Sequence, residues 1–333
     1  MEIVTLLLNI LFLVLGFAFL IKGADIFVDG ASAIAKILKV PALIIGLTIV
    51  ALGTSLPELA VSIVAAVNNS TDLSVSNVVG SNIFNILVVL GLTSILVPIA
   101  IEKKVLKFEL PFVLGVSTLL LILGFIGNSE INWVFGLIFL VLLAFYIFFL
   151  IKRTKKEEPV EQEDNKTSSE LEENKTSPFK AIIFLVLGAG LIMFGGECVN
   201  KTSVVIAEYF GMEEQLIGLT IVAIGTSLPE LITSLVAAKK GENDIALGNV
   251  IGSNTLNILF ILGAASLITP LPISPSMTFD MVVMVLITLV LIIMAILTSK
   301  KKGLTKTCGF ILVSLYIIYT AYIICRNYGV LPF

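Results

Sequence analysis

Histidine is missing from all 333 residues of this chain, and cysteine occurs only three times. The missing imidazole removes the commonest metal ligand and the commonest side chain that relays protons near neutral pH. The three cysteines, Cys198, Cys308 and Cys325, lie in or beside apolar runs, so we expect no disulfide framework. No Walker A phosphate-binding loop occurs either, which argues against an ATP-driven pump.

Charge is also scarce, since charged residues make up 14% of the chain and apolar residues 57%. This composition excludes an ordinary soluble domain and indicates an all-α polytopic membrane protein. A spanning helix needs about 20 mainly apolar residues, and ten such segments are present. The predicted spans are 4–28, 41–67, 73–98, 109–127, 131–151, 179–206, 214–238, 245–269, 279–298 and 306–325.

Basic residues predict the orientation of these spans. Lysine and arginine clusters follow the first, third, fifth, seventh and ninth spans, whereas three of the alternate connections contain neither residue. Clustered basic residues stay on the cytoplasmic side. We therefore expect a protein of the plasma membrane with both termini outside and a cytoplasmic central linker.

One thirteen-residue segment occurs twice, as GLTIVALGTSLPE at Gly46–Glu58 and as GLTIVAIGTSLPE at Gly218–Glu230. A shift of 172 positions aligns the two halves without a gap, which indicates a duplication. Each half has five predicted spans, and because five is odd the second half must enter the membrane inverted. The predicted domains are the first repeat at 1–153, an acidic cytoplasmic linker at 154–178, and the second repeat at 179–333.

Each copy of the segment places a proline and a glutamate where a membrane helix would be apolar. Pro57 lacks an amide hydrogen, so the Gly53 carbonyl loses its helical partner, and glycine makes local unwinding cheap. Ser55 and Glu58 have the spacing of a capping box that starts a new half-helix. Unpaired carbonyls and hydroxyls inside a membrane need a polar cavity, and a hard cation would satisfy them.

Two simpler interpretations compete with an ion site: a proline kink with Ser/Thr back-bonding, and a glutamate that is only a helix cap. Neither explains a carboxylate near mid-span, which costs at least about 3 kcal/mol on insertion scales. Neither explains why the glutamate is duplicated. We therefore predict that Glu58 and Glu230 meet at mid-membrane and bind a cation.

A second polar pair follows on the next predicted span of each half. Ser81 and Asn85 are four residues apart, as are Ser253 and Asn257, so each pair lies on one helical face. Interhelical hydrogen bonding alone stays open as their role. No cysteine or histidine falls in these segments, which disfavours copper and zinc, and flexible carbonyl-rich shells suit Ca²⁺ better than Mg²⁺. One divalent ion, or two or more sodium ions, would neutralise the two glutamates.

The two GTSLPE segments, with GSNIFN and GSNTLN downstream, are similar to the paired alpha-repeats of the sodium/calcium exchanger family, prokaryotic type, in the cation/calcium antiporter superfamily. The resemblance covers nearly all of the predicted spans. It implies ten transmembrane helices as two inverted-topology five-helix repeats, with ions bound between four central helices. It also implies that the long first and sixth helices slide across the core.

The same resemblance implies the ligands. Calcium would be bound by the carboxylates of Glu58 and Glu230 and by the backbone carbonyls of Thr54 and Thr226. The implied sodium site adds eight further residues to these four: Ala51, Ser55, Ser81, Asn85, Ala223, Ser227, Ser253 and Asn257.

The implied function is a secondary active antiporter that exchanges Na⁺ for Ca²⁺ by alternating access. Potassium-dependent relatives carry aspartate where this chain has Asn257, so we expect no K⁺ co-transport. The regulatory insert of animal exchangers is absent, so no allosteric calcium activation is expected. We expect Na⁺, Ca²⁺ and the lipid bilayer as partners, with no cofactor, nucleic acid or obligate protein partner.

Three other functions compete with sodium/calcium exchange. A proton/calcium antiporter of the same superfamily could titrate the glutamates, although its GNxxE-like motif differs from the one here. A calcium-selective channel could also use two carboxylates, but inverted repeats suit alternating access better. An intramembrane serine hydrolase would need a base, and Ser55 and Ser227 have neither a histidine nor a core lysine. The chain is therefore not expected to be an enzyme.

Overall fold

The structure, a computed structural model, describes residues 3–68, 71–126, 130–154, 177–209, 223–298 and 303–327. The first half contains the helices α1 (Ile3–Leu38), α2 (Ala42–Thr54), α3 (Leu56–Val67), α4 (Leu73–Leu96), α5 (Val105–Phe125) and α6 (Trp133–Thr154). The second half contains α7 (Pro178–Tyr209), α8 (Ala223–Thr226), α9 (Leu228–Lys239), α10 (Asn243–Ile268), α11 (Pro275–Thr298) and α12 (Lys306–Asn327).

These helices correspond to the predicted spans. Eight of them are long and apolar enough to cross a membrane, and α2 with α3 forms a further, bent span. The pair α8 and α9 is the second-half counterpart of α2 and α3, and its predicted start at residue 214 lies outside the described residues. The predicted linker at 154–178 also lies outside them, apart from its ends. The three cysteines are free, as expected.

The helix α1 ends at Leu38, ten residues beyond the predicted end at residue 28. Asp25 and Asp29 therefore both lie within the helix. Lys240 lies 2.7 Å from a carboxylate oxygen of each, and Lys22 also pairs with Asp25.

Glycine allows α1 and α7 to pack closely along most of their length. A Cβ atom added at Gly16, Gly23 or Gly30 would lie 2.8 Å from atoms of α7. A Cβ at Gly188 of α7 would lie 2.6 Å from the backbone nitrogen of Phe27. Small residues let transmembrane helices approach backbone to backbone, so these two long helices form one tightly packed pair.

Short backbone pairings join the two halves outside the helices. The strands β1 (Glu130–Ile131) and β2 (Leu271–Pro272) are antiparallel, with Ile131 opposite Leu271. An isolated bridge joins Ile99 to Leu304. The 172-residue shift aligns Ile99 with Leu271, and it aligns Ile131 with the residue directly before Leu304. The two pairings are therefore equivalent positions of the two repeats. Each connects the loop after α4 or α10 with a loop of the other half, as two interlocked copies of one unit would.

Within this framework α4 and α10 are mostly buried, whereas only a small part of α1, α6, α7 and α12 is buried. The exposed surface of the outer helices is apolar, with large side chains such as Val141, Phe148 and Ile318. The polar residues of the repeated segments are instead buried between the central helices. This arrangement suits a protein with a lipid-facing exterior and a polar centre.

Candidate cation site

The span formed by α2 and α3 is broken at Ser55, where the helix axis bends by 48°. Pro57 lies in the first turn of α3, followed by Glu58. In the second half, Ser227 separates α8 from α9 in the same way, with nearly the same backbone angles. The break predicted from the proline is therefore present in both halves, and each break sets a glutamate in the first turn of a new helix.

The predicted capping box is wrong. Neither Ser55 nor Ser227 makes a side-chain hydrogen bond to the helix that it precedes. Ser55 Oγ instead donates to Oε1 of Glu230 at 2.9 Å, and Ser227 Oγ donates to Oε1 of Glu58 at 3.2 Å. The serine spacing suits a local cap, but a charged acceptor supplied by the other half gives the stronger hydrogen bond.

Both glutamates are completely buried at this junction. Each accepts a hydrogen bond from the broken span of the opposite half, so the two repeated segments meet as predicted from their duplication. Two other buried acids, Glu109 and Asp280, each pair with an arginine at 3.0 Å. Glu58 and Glu230 make no salt bridge anywhere in the described part of the chain. Two buried carboxylates without a basic side chain must be neutralised in another way, by a bound cation or by a proton.

The predicted serines of α4 and α10 also reach this junction. Ser81 Oγ accepts a hydrogen bond from Ser227 at 3.0 Å, and Ser253 Oγ donates to Glu230 Oε1 at 3.4 Å. Asn85 and Asn257 each begin a π-helical turn, at Asn85–Val89 in α4 and at Asn257–Leu262 in α10. Such turns are rare and occur frequently at functional sites.

Two buried oxygen atoms at the junction have no hydrogen-bond partner among the described residues. They are Oε2 of Glu58 and Oε2 of Glu230; Oδ1 of Asn85 and Oδ1 of Asn257, on the next helix of each repeat, are also buried and unpaired. Buried polar atoms are normally paired, because leaving one unsatisfied costs about 1–3 kcal/mol. Oxygen atoms of this kind are the ligands that hard cations such as Ca²⁺ and Na⁺ take.

The charge of the site comes from these two acids. No group of three or more histidine, cysteine, aspartate or glutamate residues that could hold a metal occurs in the described ranges. The remaining donors are therefore neutral: hydroxyls, amides and backbone carbonyls. A set of two carboxylates with neutral oxygens fits a hard cation and does not fit zinc or copper.

The two threonines predicted as carbonyl ligands use their hydroxyls elsewhere. Thr54 Oγ1 donates to Asn249 Oδ1 at 2.9 Å, and Thr226 Oγ1 donates to Asn77 Oδ1 at 3.3 Å. The predicted ligands are the backbone carbonyls of these threonines, which these two hydrogen bonds do not involve. Ala51 is buried in α2 and Ala223 is the first residue of α8, so both stand one turn before the breaks. Ion binding by any of these residues stays a prediction.

Asn77 and Asn249 were missed by the sequence prediction. They lie four residues before Ser81 and Ser253, on the same helical face, and the 172-residue shift aligns them with each other. That alignment was the available signal. Two acids in the long helices lie outside the site: Asp25 pairs with Lys240, while Glu197 is exposed and pairs with Lys201.

Comparisons with known proteins agree with this geometry. The family model described as "Sodium/calcium exchanger protein" matches residues 8–152 and 180–325. The putative antiporter CaxA of Alkalimonas amylolytica is 40% identical over 288 residues, covering 86% of this chain and 89% of that protein. The sodium/calcium exchanger MaX1 of Methanosarcina acetivorans is 35% identical over 318 residues, covering 86% of this chain and 90% of that protein.

The fold matches solved structures of the sodium-calcium exchanger NCX_Mj. One of them, soaked with 2.5 mM Na⁺ and 0.1 mM Ca²⁺, aligns with a TM-score of 0.80 and 31% sequence identity. The alignment covers 96% of this chain and 99% of that chain. The prediction of a polytopic all-α membrane protein, with ten helices in two inverted five-helix repeats, is thereby confirmed.

Proposed function

The chain belongs to the sodium/calcium exchanger family and is an integral-membrane cation/calcium antiporter, not an enzyme, and from this premise we propose that it exchanges Na⁺ for Ca²⁺. The observation that carries the proposal is the buried pair Glu58 and Glu230. Each is held by a serine of the opposite repeat, and neither has a basic partner among the described residues.

The exchange follows from the charge of this site. Two buried carboxylates carry a charge of about −2, which one Ca²⁺ or a small number of Na⁺ ions can balance. Both kinds of ion need the same carboxylate oxygens, so binding of one opposes binding of the other. Moving the site with both charges uncompensated would cost several kcal/mol per ion, so only the loaded site crosses readily.

Sodium is favoured over protons by the neutral oxygens around the acids. A proton needs only one carboxylate oxygen, whereas Na⁺ takes a shell of several oxygen ligands. We expect the hydroxyls of Ser55, Ser81, Ser227 and Ser253, which lie at the junction, and the unpaired amide oxygen of Asn257 to be such ligands. The name of MaX1, a sodium/calcium exchanger, also supports this ion pair, while that of CaxA gives no co-ion.

Alternating access would use the inverted repeats. Because the two half-sites are equivalent by the 172-residue shift, opening toward one face of the membrane has a counterpart toward the other. The closely packed pair α1 and α7 would move as a unit across the central helices. The basic clusters favour a plasma-membrane protein with both termini outside and the linker at 154–178 in the cytoplasm. The cycle requires no cofactor.

The experiment is ⁴⁵Ca uptake by purified protein in proteoliposomes, with protein-free liposomes as the control. Gradients of Na⁺, K⁺ and H⁺ are imposed one at a time. We expect an outward Na⁺ gradient to drive uptake and K⁺ to have no effect. Strong uptake under a pH gradient without sodium would show that H⁺, and not Na⁺, is exchanged for Ca²⁺. Single-channel currents in bilayers would show that the protein is a channel and not an antiporter.

A further inference from the structure

The buried amide of Asn77 contacts both repeats. Its Nδ2 donates to the Glu58 backbone carbonyl at 3.3 Å and to Ser62 Oγ at 3.1 Å, both on α3. Its Oδ1 accepts from Thr226 Oγ1, on the other repeat, at 3.3 Å. One side chain of α4 therefore links the helix that carries one glutamate to the break in the opposite span.

Asn249 repeats the arrangement in α10. Its Nδ2 donates to the Glu230 backbone carbonyl at 3.3 Å and to Ser234 Oγ at 3.0 Å. Its Oδ1 accepts from Thr54 Oγ1 at 2.9 Å. Both asparagines are buried, with 6% and 0% of their surface exposed, so all of these hydrogen bonds are shielded from solvent.

These contacts close two rings across the repeat interface. In the first, Asn77 connects Glu58 to Thr226, and the next residue, Ser227, returns to the Glu58 carboxylate. The second ring runs through Asn249, Glu230, Thr54 and Ser55 in the same order. Each ring fixes a glutamate at two points, its backbone carbonyl and its carboxylate, relative to the broken span of the other repeat.

The hydrogen-bond chemistry also fixes the direction of each amide. A backbone carbonyl only accepts, so the amide nitrogen faces the glutamate and the amide oxygen faces the threonine. The threonine hydroxyl must then donate to the amide oxygen. The asparagine thereby sets the position of the glutamate relative to the break in the opposite span.

We propose that Asn77 and Asn249 are positioning residues that hold the two half-sites at one fixed separation and so set the discrimination between cations of different size. The inference rests on the proposed function, since it assumes that a cation binds at Glu58 and Glu230. Neither asparagine touches the ion. They act through the glutamates and threonines, and the rings make the site rigid enough to distinguish Ca²⁺ from the larger Sr²⁺.

The test compares Asn77→Leu and Asn249→Leu with wild type. Leucine keeps the branching at Cγ, although its side chain is larger, and removes the hydrogen bonds of the ring. Ser62→Ala and Ser234→Ala are the matched controls, because each removes one bond to the same amide and leaves the ring closed. The readouts are the half-saturating concentrations of Ca²⁺ and Sr²⁺ in proteoliposome uptake, their ratio, and the melting temperature without ions.

We expect the leucine variants to raise half-saturating Ca²⁺ about three- to thirtyfold, the range for one or two interhelical hydrogen bonds. The Ca²⁺/Sr²⁺ ratio should move toward one, while the serine controls keep the wild-type ratio. An unchanged ratio with a lower melting temperature would overturn the proposal and leave the asparagines as structural contacts only.

A second pair of variants tests the proposal if the leucine variants do not fold. Thr54→Val and Thr226→Val keep the side-chain shape and the backbone carbonyl but remove the hydroxyl that closes each ring. We expect the same shift in the Ca²⁺/Sr²⁺ ratio, and a wild-type ratio in both would also overturn the proposal. If wild-type protein shows no sodium-driven uptake of either ion, the proposed function fails instead, independently of the rings.

Discussion

Oγ of Ser55 and Oε1 of Glu230, which belong to opposite repeats, lie 2.9 Å apart. The equivalent hydrogen bond from Ser227 to Glu58 is 3.2 Å long. Since each glutamate depends on a hydroxyl from the other half, neither repeat builds the site alone. The duplication is therefore part of the chemistry as well as of the fold.

The two acids provide the first prediction. Glu58→Gln and Glu230→Gln keep the side-chain shape and remove one charge each, so the remaining carboxylate cannot balance Ca²⁺. We expect each variant to lose sodium-dependent ⁴⁵Ca flux in proteoliposomes while keeping the wild-type elution profile in detergent. Glu197→Gln is the control and should transport normally, because Glu197 is exposed on α7 and pairs only with Lys201 in the described structure. Normal flux in Glu58→Gln or Glu230→Gln would refute the assignment of that acid.

The serines at the breaks provide the second prediction. Ser55 and Ser227 are predicted ligands of Na⁺ but not of Ca²⁺, so Ser55→Ala and Ser227→Ala should affect sodium more. Losing one neutral oxygen ligand costs about 1 kcal/mol, or about fivefold in half-saturating Na⁺. Flux is measured against Na⁺ concentration at fixed Ca²⁺ and against Ca²⁺ concentration at fixed Na⁺. The two series give the half-saturating concentration of each ion separately. Ser314→Ala, at an exposed position of α12, is the control, and equal shifts for both ions would contradict the prediction.

A third prediction concerns stability. Arg153 lies 3.0 Å from Glu109, whose side chain is buried and also accepts a hydrogen bond from Tyr146. Arg153→Met leaves that carboxylate without its cation, which costs about 3–5 kcal/mol, whereas removing both charges is nearly neutral. The melting temperature should therefore fall in Arg153→Met and largely recover in the Arg153→Met/Glu109→Gln double variant. The two proteins would melt at the same temperature if the pair were not coupled.

The ten spans and the inverted repeat could be predicted because each produces a pattern in the sequence. Hydropathy marks the spans, and the 172-residue shift marks the duplication. Pro57 predicts the break in the second span, because the missing amide hydrogen acts within one helical turn. Features of this kind depend on neighbours in sequence.

The features that the sequence did not predict depend on partners far along the chain. The predicted first span ends at residue 28, whereas α1 continues to Leu38, and Asp25 and Asp29 within it pair with Lys240, more than two hundred positions away. Ser55 has the spacing of a local cap, yet Glu230 of the other repeat takes its hydrogen bond. The 172-residue shift aligns Asn77 with Asn249, but only the contact with Thr226 shows that Asn77 belongs to the site.

The contact between α1 and α7 provides the last prediction, which compares two glycines that are two residues apart on α7. A Cβ at Gly188 would lie 2.6 Å from the backbone nitrogen of Phe27, whereas a Cβ at Gly190 meets no described atom within 4 Å. Alanine is the better helix former by about 1 kcal/mol, so propensity alone would make both substitutions stabilising.

We expect Gly190→Ala to melt at or above the wild-type temperature and Gly188→Ala to melt lower, because the clash is with backbone and α1 must move away. Transport should respond in the same order. The Phe27 ring lies against Gly53 beside the break in the α2–α3 span, 2.7 Å from where a Cβ would stand, so moving α1 also disturbs that contact. Gly188→Ala should therefore slow sodium-driven ⁴⁵Ca uptake while Gly190→Ala leaves it unchanged. Equal melting temperatures and rates in the two variants would mean that the close packing of α1 on α7 contributes neither to stability nor to the exchange cycle.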